Sequence, residues 1–373
     1  MTDKNNIKEK YIALFILHAL GDTIGYKNSI WEFNYNIQNF NDKRQTIEIV
    51  SEFISLGGIT NIDLSGWNVS DDTLLNYEIA KFILTIKDNM TEDNIKKLKN
   101  EIKLMVVKQI DLNIERGFGL MTYNAIKEWT NKKDERHTNY NFKSGGNGCT
   151  MRTFPIGLRY YKDEDLDKLI DISITTSKLT HNSPIGFLGG LASAYFVKLA
   201  INKIDINNWC SLLINLYESE KVKKYIDIQN DDIYFDYRST IRIWKKYLSL
   251  YFDSKNELNL LKIKQNLLSR LDLFKVFDEM LYPNSDYNTN IGSTGQSSII
   301  MAYSALLDCN KNWEKLTYYS MLHTGDSDTV GAIAGGLYGI VYGFENVPTH
   351  LLKNLEMKKE LEEMGNKFFE LYQ

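Results

Sequence analysis

Near the C-terminal end of this 373-residue chain, Gly331, Gly335, Gly339 and Gly343 recur every fourth residue in the almost chargeless run VGAIAGGLYGIVYGF. On a helix this spacing lines the glycines up on one face. Each mid-helix glycine costs about 0.5–1 kcal/mol relative to alanine. Four of them are tolerable only where another backbone packs closely against that face. The run, 330–344, is well short of the roughly 20 apolar residues that a bilayer-spanning helix needs. The spacing therefore predicts a buried central helix, with HTGDSDT (323–329) at its N-terminal mouth. Asp, Ser and Thr are favoured helix caps, but one cap needs one side chain. Asp326, Ser327, Asp328 and Thr329 are a surplus, and they are either caps or ligands.

A second acidic mouth is WNVSDDTLL, where Ser70, Asp71, Asp72 and Thr73 precede another apolar helix. Two carboxylates about 4 Å apart repel by roughly 4 kcal/mol at an effective dielectric near 20. A helix N-terminus returns only about 0.3–1 kcal/mol per anion. Either one carboxylate faces water, or a cation or proton makes up the deficit. If Asp71, Asp72, Asp326 and Asp328 meet, with Ser70 and Thr329 adding hydroxyl oxygens, the all-oxygen set suits Mg²⁺, Mn²⁺ or Ca²⁺, and four carboxylates could hold two such ions. Asp231-Asp232 lacks flanking hydroxyls and reads as a solvated loop.

Helical periodicity dominates the rest. Segments 11–20, closed by Gly21, 73–86, 188–200, 209–216, 241–250, 258–271 and 297–307 read as helices, and strand-like alternation is scarce. The four prolines fit turns or helix edges. No linker or internal repeat breaks the chain, so one compact all-α domain over 1–373 is expected. The polar stretch 131–148 reads as a long loop and the charged stretch 218–236 as a peripheral excursion. Net charge is −4, with no basic patch of the kind that nucleic acids require. Three scattered cysteines argue for a reducing compartment and against a disulfide framework or a zinc site. With no signal peptide or spanning segment, a cytoplasmic protein away from membranes is expected, and the lack of a long exposed apolar helix points to a monomer. The loop SGGNG, Ser144, Gly145, Gly146, Asn147 and Gly148, reads either as a flexible turn or as a phosphate cradle, because glycines let backbone N–H groups approach an anion.

These blocks resemble the ADP-ribosylglycohydrolase family, in particular its ADP-ribosylarginine hydrolase branch. The resemblance is carried by Ser70-Asp71-Asp72-Thr73 and by Gly325-Asp326-Ser327-Asp328-Thr329 followed by Ala332-Ile333-Ala334-Gly335. HALGDTIGYKNSIWEF (18–33), GGNGCTMRTFPIGLR (145–159), LTHNSPIGFLGGLASA (179–194) and GSTGQSSIIMAY (292–303) add to it in the family's order. The resemblance implies an all-α, single-domain orthogonal helix bundle with two Mg²⁺ ions held by Ser70, Asp71, Asp72, Asp326, Asp328 and Thr329. It implies hydrolysis of the bond between ADP-ribose and the arginine of a modified protein, with Asp71 or Asp72 taking a proton from the attacking water. His181 falls where the family has a histidine near ADP-ribose. Gly292, Ser293, Gly295 and Ser298 either line the pyrophosphate or adenosine side or cap a helix. Glu32 either orients the arginine or is a surface residue. Asp22 is a supporting group or a turn former, and His18, His137, His323 and His350 take structural readings. Thr324 replaces the first glycine of the family's GGD, and Asn182-Ser183 replace two histidines of its THHHP. Both departures bear on the acceptor. The competing readings are a serine linkage, a modified nitrogenase-type protein or an ADP-ribose ester, and, from another class, a catalytically silent ADP-ribose-binding relative, which would be expected to lose metal aspartates where here all four stand.

Overall fold

We describe a computed structural model over residues 2–34, 44–87, 89–131, 137–253 and 291–373, with isolated positions between 271 and 281. Among these residues the regular structure is helical, with a single isolated β-bridge between Gly146 and Thr294. The longer helices are α1 (Thr2–Tyr26), α2 (Arg44–Ser55), α3 (Asp71–Thr85), α4 (Glu92–Asp111), α5 (Leu120–Asn131), α6 (Phe154–Arg159), α7 (Leu166–Lys178), α8 (Pro184–Ile201), α9 (Trp209–Glu218), α10 (Asp231–Tyr251), α11 (Ser297–Cys309), α12 (Trp313–Ser320), α13 (Ser327–Tyr342) and α14 (Lys358–Tyr372). The expected helix over 258–271 lies, but for Leu271, outside the described residues. Two compact units are present. The first holds Met1–Leu74, Gln265–Ser293 and Ser297–Gln373, and the second holds Leu75–Lys264 and Thr294–Gln296.

The first unit is built on α1 against α13. A Cβ on Gly331 would stand 2.5 Å from the Gly21 carbonyl oxygen, one on Gly335 2.0 Å from that of Leu17, and one on Gly339 2.4 Å from that of Ala13. Each step of four forward on α13 thus meets a step of four back on α1. The helices run antiparallel, and real side chains never sit that close to a backbone. The expected close partner for the glycine stripe is α1. Gly21 does not end a helix there: α1 runs on to Tyr26, because Gly21 is itself a contact point with Gly331 rather than a stop. Helix α14 packs on the other side of α1, with the ring pairs Tyr11–Phe369 and Phe15–Phe368 in the contact.

The second unit is centred on α8, which α6, α7, α9 and α10 cover. Its 18 residues have a mean hydropathy of 1.5, enough by length and composition to cross a membrane, but 89% of them are buried inside the protein. Ser183 caps the helix, its hydroxyl accepting from the Ile185 N–H, and Pro184 occupies the first turn, where its missing N–H costs nothing. Asp231 and Asp232 do not lie in a loop. They are exposed as expected, but they form the first turn of α10, which the Asn230 side chain caps through both the Asp232 and Ile233 N–H groups. The 218–236 stretch is likewise not wholly peripheral, since Val222 and Asp236 are buried.

Candidate active site

The α1–α13 register decides what the mouth of α13 faces. Residues near the end of α1 lie beside the start of α13, where the Ser327 hydroxyl donates to the Gly25 carbonyl at 2.8 Å. Asp22, one turn earlier on α1, reaches the start of α3. Its carboxylate accepts from the Ser70 N–H at 3.0 Å, the Thr73 N–H at 3.2 Å and the Thr73 hydroxyl at 2.5 Å. The Ser70 hydroxyl accepts from the Asp72 N–H at 3.1 Å. Asp22 and Ser70 therefore do the capping at this mouth, and the side chains of Asp71 and Asp72 are left for other work. Sequence reasoning gave Asp22 only a supporting or turn-forming place. Its role as a cap across 48 residues of sequence leaves no local signal.

The two acidic mouths meet. The Thr329 hydroxyl donates to Asp72 Oδ1 at 3.2 Å, across 257 residues. Asp22, Asp71, Asp72, Asp326 and Asp328 are all buried. Burial first, and then the charges of Asp22, Asp71 and Asp326, push the Asp72 carboxyl well above the usual carboxylate range. Asp328 is pushed the same way by burial, then by Glu32, Asp72 and Asp326. Asp22 rises to about 6, where desolvation outweighs the hydrogen bonds from Thr73 and Ser70.

Glu32 belongs to this cluster. The Phe33 N–H donates to the Gly325 carbonyl at 3.1 Å, which ties the turn after α1 to the turn before α13. Carboxylate oxygens of Glu32, Asp326 and Asp328 lie within 4.8 Å of one another. The turn after α1 is anchored from its other side too. Lys27 pairs with Glu52 and lies 4.5 Å over the Trp31 ring, and Trp31 Nε1 donates to Glu52 at 2.8 Å.

This donor set fits a divalent cation. It is entirely oxygen, it is buried but for the half-buried Glu32, and Asp72 Oδ2 is buried without a hydrogen-bond partner among the described residues. An ionised carboxylate oxygen in that state is costly unless a cation takes it. Ser70 and Thr329, both expected ligands, stand here with their hydroxyls engaged by Asp72. Gly292 sits at the same mouth with φ +87°, and a Cβ there would stand 2.9 Å from Val330 Cγ2 and 3.6 Å from Asp326 Cβ. Ser293 belongs to the first unit. So does Ser298, whose buried hydroxyl makes no hydrogen bond among the described residues.

The other expected binding residues assemble in the second unit. Ser144 ends a short 3₁₀ turn, Phe142–Ser144, and Gly145 to Gly148 follow it. Gly295 N–H donates to the Gly145 carbonyl at 2.9 Å, and its own carbonyl accepts from the Thr150 hydroxyl at 3.1 Å. A Cβ on Gly295 would meet the Ile185 carbonyl at 2.5 Å, and one on Gly148 would meet the His181 ring at 2.7 Å. His181 thus supports the glycine loop. It is buried, its Nδ1 lies 2.7 Å from the Thr180 hydroxyl, and burial together with the Arg152 charge holds its pKa down to about 3. At neutral pH this imidazole is uncharged.

The fold is all-α, and a buried acidic centre of oxygen donors lies where two helix mouths meet. The comparisons with known proteins identify the family. Residues 3–373 match the ADP-ribosylglycohydrolase family model, and the chain belongs to that family of hydrolases. It is 31% identical over 386 aligned residues to "ADP-ribosylhydrolase ARH1" of Dictyostelium discoideum, covering 96% of this chain and 92% of that one. It is 24% identical to "ADP-ribosylhydrolase ARH3" of Gallus gallus, with 81% and 78% covered. A solved structure titled "ADP-ribosylglycohydrolase-related protein complex" superposes with a TM-score of 0.61 over 99% of this chain and 100% of that one, at 15% identity, which bears on the fold alone.

Proposed function

We propose that this protein is a Mg²⁺-dependent hydrolase that cleaves the N-glycosidic bond between ADP-ribose and arginine in mono-ADP-ribosylated proteins. The observation that carries the reading is the junction of the two acidic mouths through Thr329 and Asp72, with one Asp72 oxygen left over. The likeness to an ADP-ribosylhydrolase over nearly the whole chain supports the substrate class.

Ser70, Asp71, Asp72, Asp326, Asp328 and Thr329 would hold the ions, two by analogy with the family. Bound divalent ions supply Lewis-acid polarisation of ribose oxygens and of a water. Cleavage at the anomeric carbon builds oxocarbenium character, and the carboxylates lining the site oppose that positive charge. One of the Asp71–Asp72 pair accepts the proton of the attacking water. Asp22 fixes the first turn of α3, so the pair keeps its orientation through turnover. Glu32 lies beside Asp326 and Asp328, and in this reading its carboxylate pairs with the guanidinium of the acceptor. We read the loop from Gly145 to Gly148, within the second unit, as a phosphate cradle, because glycines let backbone N–H groups approach an anion.

The test is a side-by-side assay of ADP-ribose release from arginine-linked and serine-linked ADP-ribosyl proteins, with Mg²⁺ and with EDTA. Mg²⁺-dependent release from the arginine linkage is expected. Faster release from the serine linkage moves the protein to another acceptor, and ADP-ribose binding without release from either makes it a silent relative.

A further inference from the structure

Three groups hold the backbone of Gly325, the residue just before Asp326. Its N–H donates to His323 Nδ1 at 3.1 Å. Its carbonyl accepts from the N–H groups of Phe33 at 3.1 Å and Ser327 at 2.9 Å. A Cβ on Gly325 would stand 2.2 Å from the Ile291 carbonyl and 3.1 Å from His323 Nδ1, and the Ile291 carbonyl also accepts the Asp326 N–H at 2.9 Å. Two carboxylates of the acidic centre are tied to this one residue, Asp326 next in the chain and Glu32 through the Phe33 N–H.

His323 is fully buried. Burial holds its pKa down to about 4, against an opposing pull from the Ser320 backbone, so the ring is neutral. Accepting at Nδ1 puts the ring proton on Nε2. That nitrogen makes no hydrogen bond of normal geometry among the described residues.

We propose that His323 is a positioning residue for the acidic centre, its Nδ1 fixing the Gly325 N–H, and with it the residue's backbone, so that Glu32, Asp326 and Asp328 converge. The inference rests on the metal-binding reading above. It differs from a packing role because it depends on one atom of the ring. Groups that orient metal ligands commonly cost 10–100-fold in metal affinity when removed. Asn places an oxygen acceptor close to the Nδ1 position, whereas Gln reaches towards Nε2.

The experiment titrates Mn²⁺ into the metal-free full chain by calorimetry or electron paramagnetic resonance, for wild type, His323→Asn and His323→Gln. Tm is measured on each metal-free variant. The expected result is Mn²⁺ affinity near wild type for His323→Asn and about 10–100-fold weaker for His323→Gln. Equal affinities for wild type and His323→Gln overturn the proposal, and so does equal weakening in both variants. Long-range ¹H–¹⁵N correlation of the wild-type histidines, which needs no variant to fold, should show His323 protonated on Nε2. A ring protonated on Nδ1 overturns the proposal even where metal binds. Wild type that takes up no divalent ion at all removes the metal reading itself, and is told apart by the unchanged ring tautomer.

Discussion

Two aspartate pairs open helices in this protein, and they differ in almost everything but sequence. Asp231 and Asp232 stand exposed at the start of α10, where Asn230 caps the N–H groups and water solvates the charges. Asp71 and Asp72 stand at the start of α3, 5% and 1% exposed, where Ser70 and Asp22 do the capping and the nearest charges acting on Asp72 are more carboxylates. A helix N-terminus is common to both and worth about 0.3–1 kcal/mol per anion. It cannot make a site. The difference is that the second pair is desolvated among its own kind, an arrangement that only a cation or a proton relieves.

The sharpest break of this comparison is Asp72→Asn against Asp232→Asn. The first should lower ADP-ribose release by on the order of 10²–10³-fold and raise the stability of the metal-free protein by about 0.5–2 kcal/mol, because it neutralises a repelled buried charge. The second should change neither. Steady-state kinetics and denaturant melts read both effects, and a loss of metal-free stability in Asp72→Asn would contradict the repulsion argument.

Next in size is Gly335→Ala, on the helix that delivers the second mouth. Its Cβ would collide with the Leu17 carbonyl, so overpacking should cost about 1–3 kcal/mol and activity should fall as the register yields. The control is Gly66→Ala, where a Cβ meets open space but φ is +79°. It should destabilise by about 1 kcal/mol and spare turnover.

Asp22 gives a pH test. Its folded pKa is about 6 against an ordinary 3.8. Between these values the folded protein binds the proton that the unfolded chain has lost. The EDTA-treated protein should therefore gain this contribution as pH falls from above 6 towards 4, and lose it as pH rises through 6. Asp22→Asn should flatten that part of the stability profile. An unchanged slope would remove Asp22 as its source. The smallest effect belongs to Asn230→Ala, which should cost about 1 kcal/mol of stability through the lost cap and leave ADP-ribose release unchanged.

The glycine stripe, the two acidic mouths and the helical class were legible in the sequence because each is a local pattern with a physical cost. Gly21 was misread because a glycine can end a helix or admit a neighbouring backbone, and only the partner, Gly331, decides which. Asp231-Asp232 was misread as a loop although Asn230, a good cap, stands directly before it. What no local pattern could give is the long-range wiring: Asp22 capping α3, Phe33 bonding Gly325, Thr329 reaching Asp72. The expectation of helix 11–20 also fell short at both ends, since α1 draws its length from packing on α13 and α14 rather than from its own periodicity.

The antiparallel seating of α1 on α13 has a consequence for how the molecule is made. Gly21 and Gly331 are 310 positions apart, and until the later one has left the ribosome the first helix has nothing to lie on. A growing polypeptide can complete much of the second unit while its acidic centre does not yet exist. Contacts of such long reach form slowly, so a pulse-labelled chain should become protease-resistant between α4 and α10 before it can release any ADP-ribose.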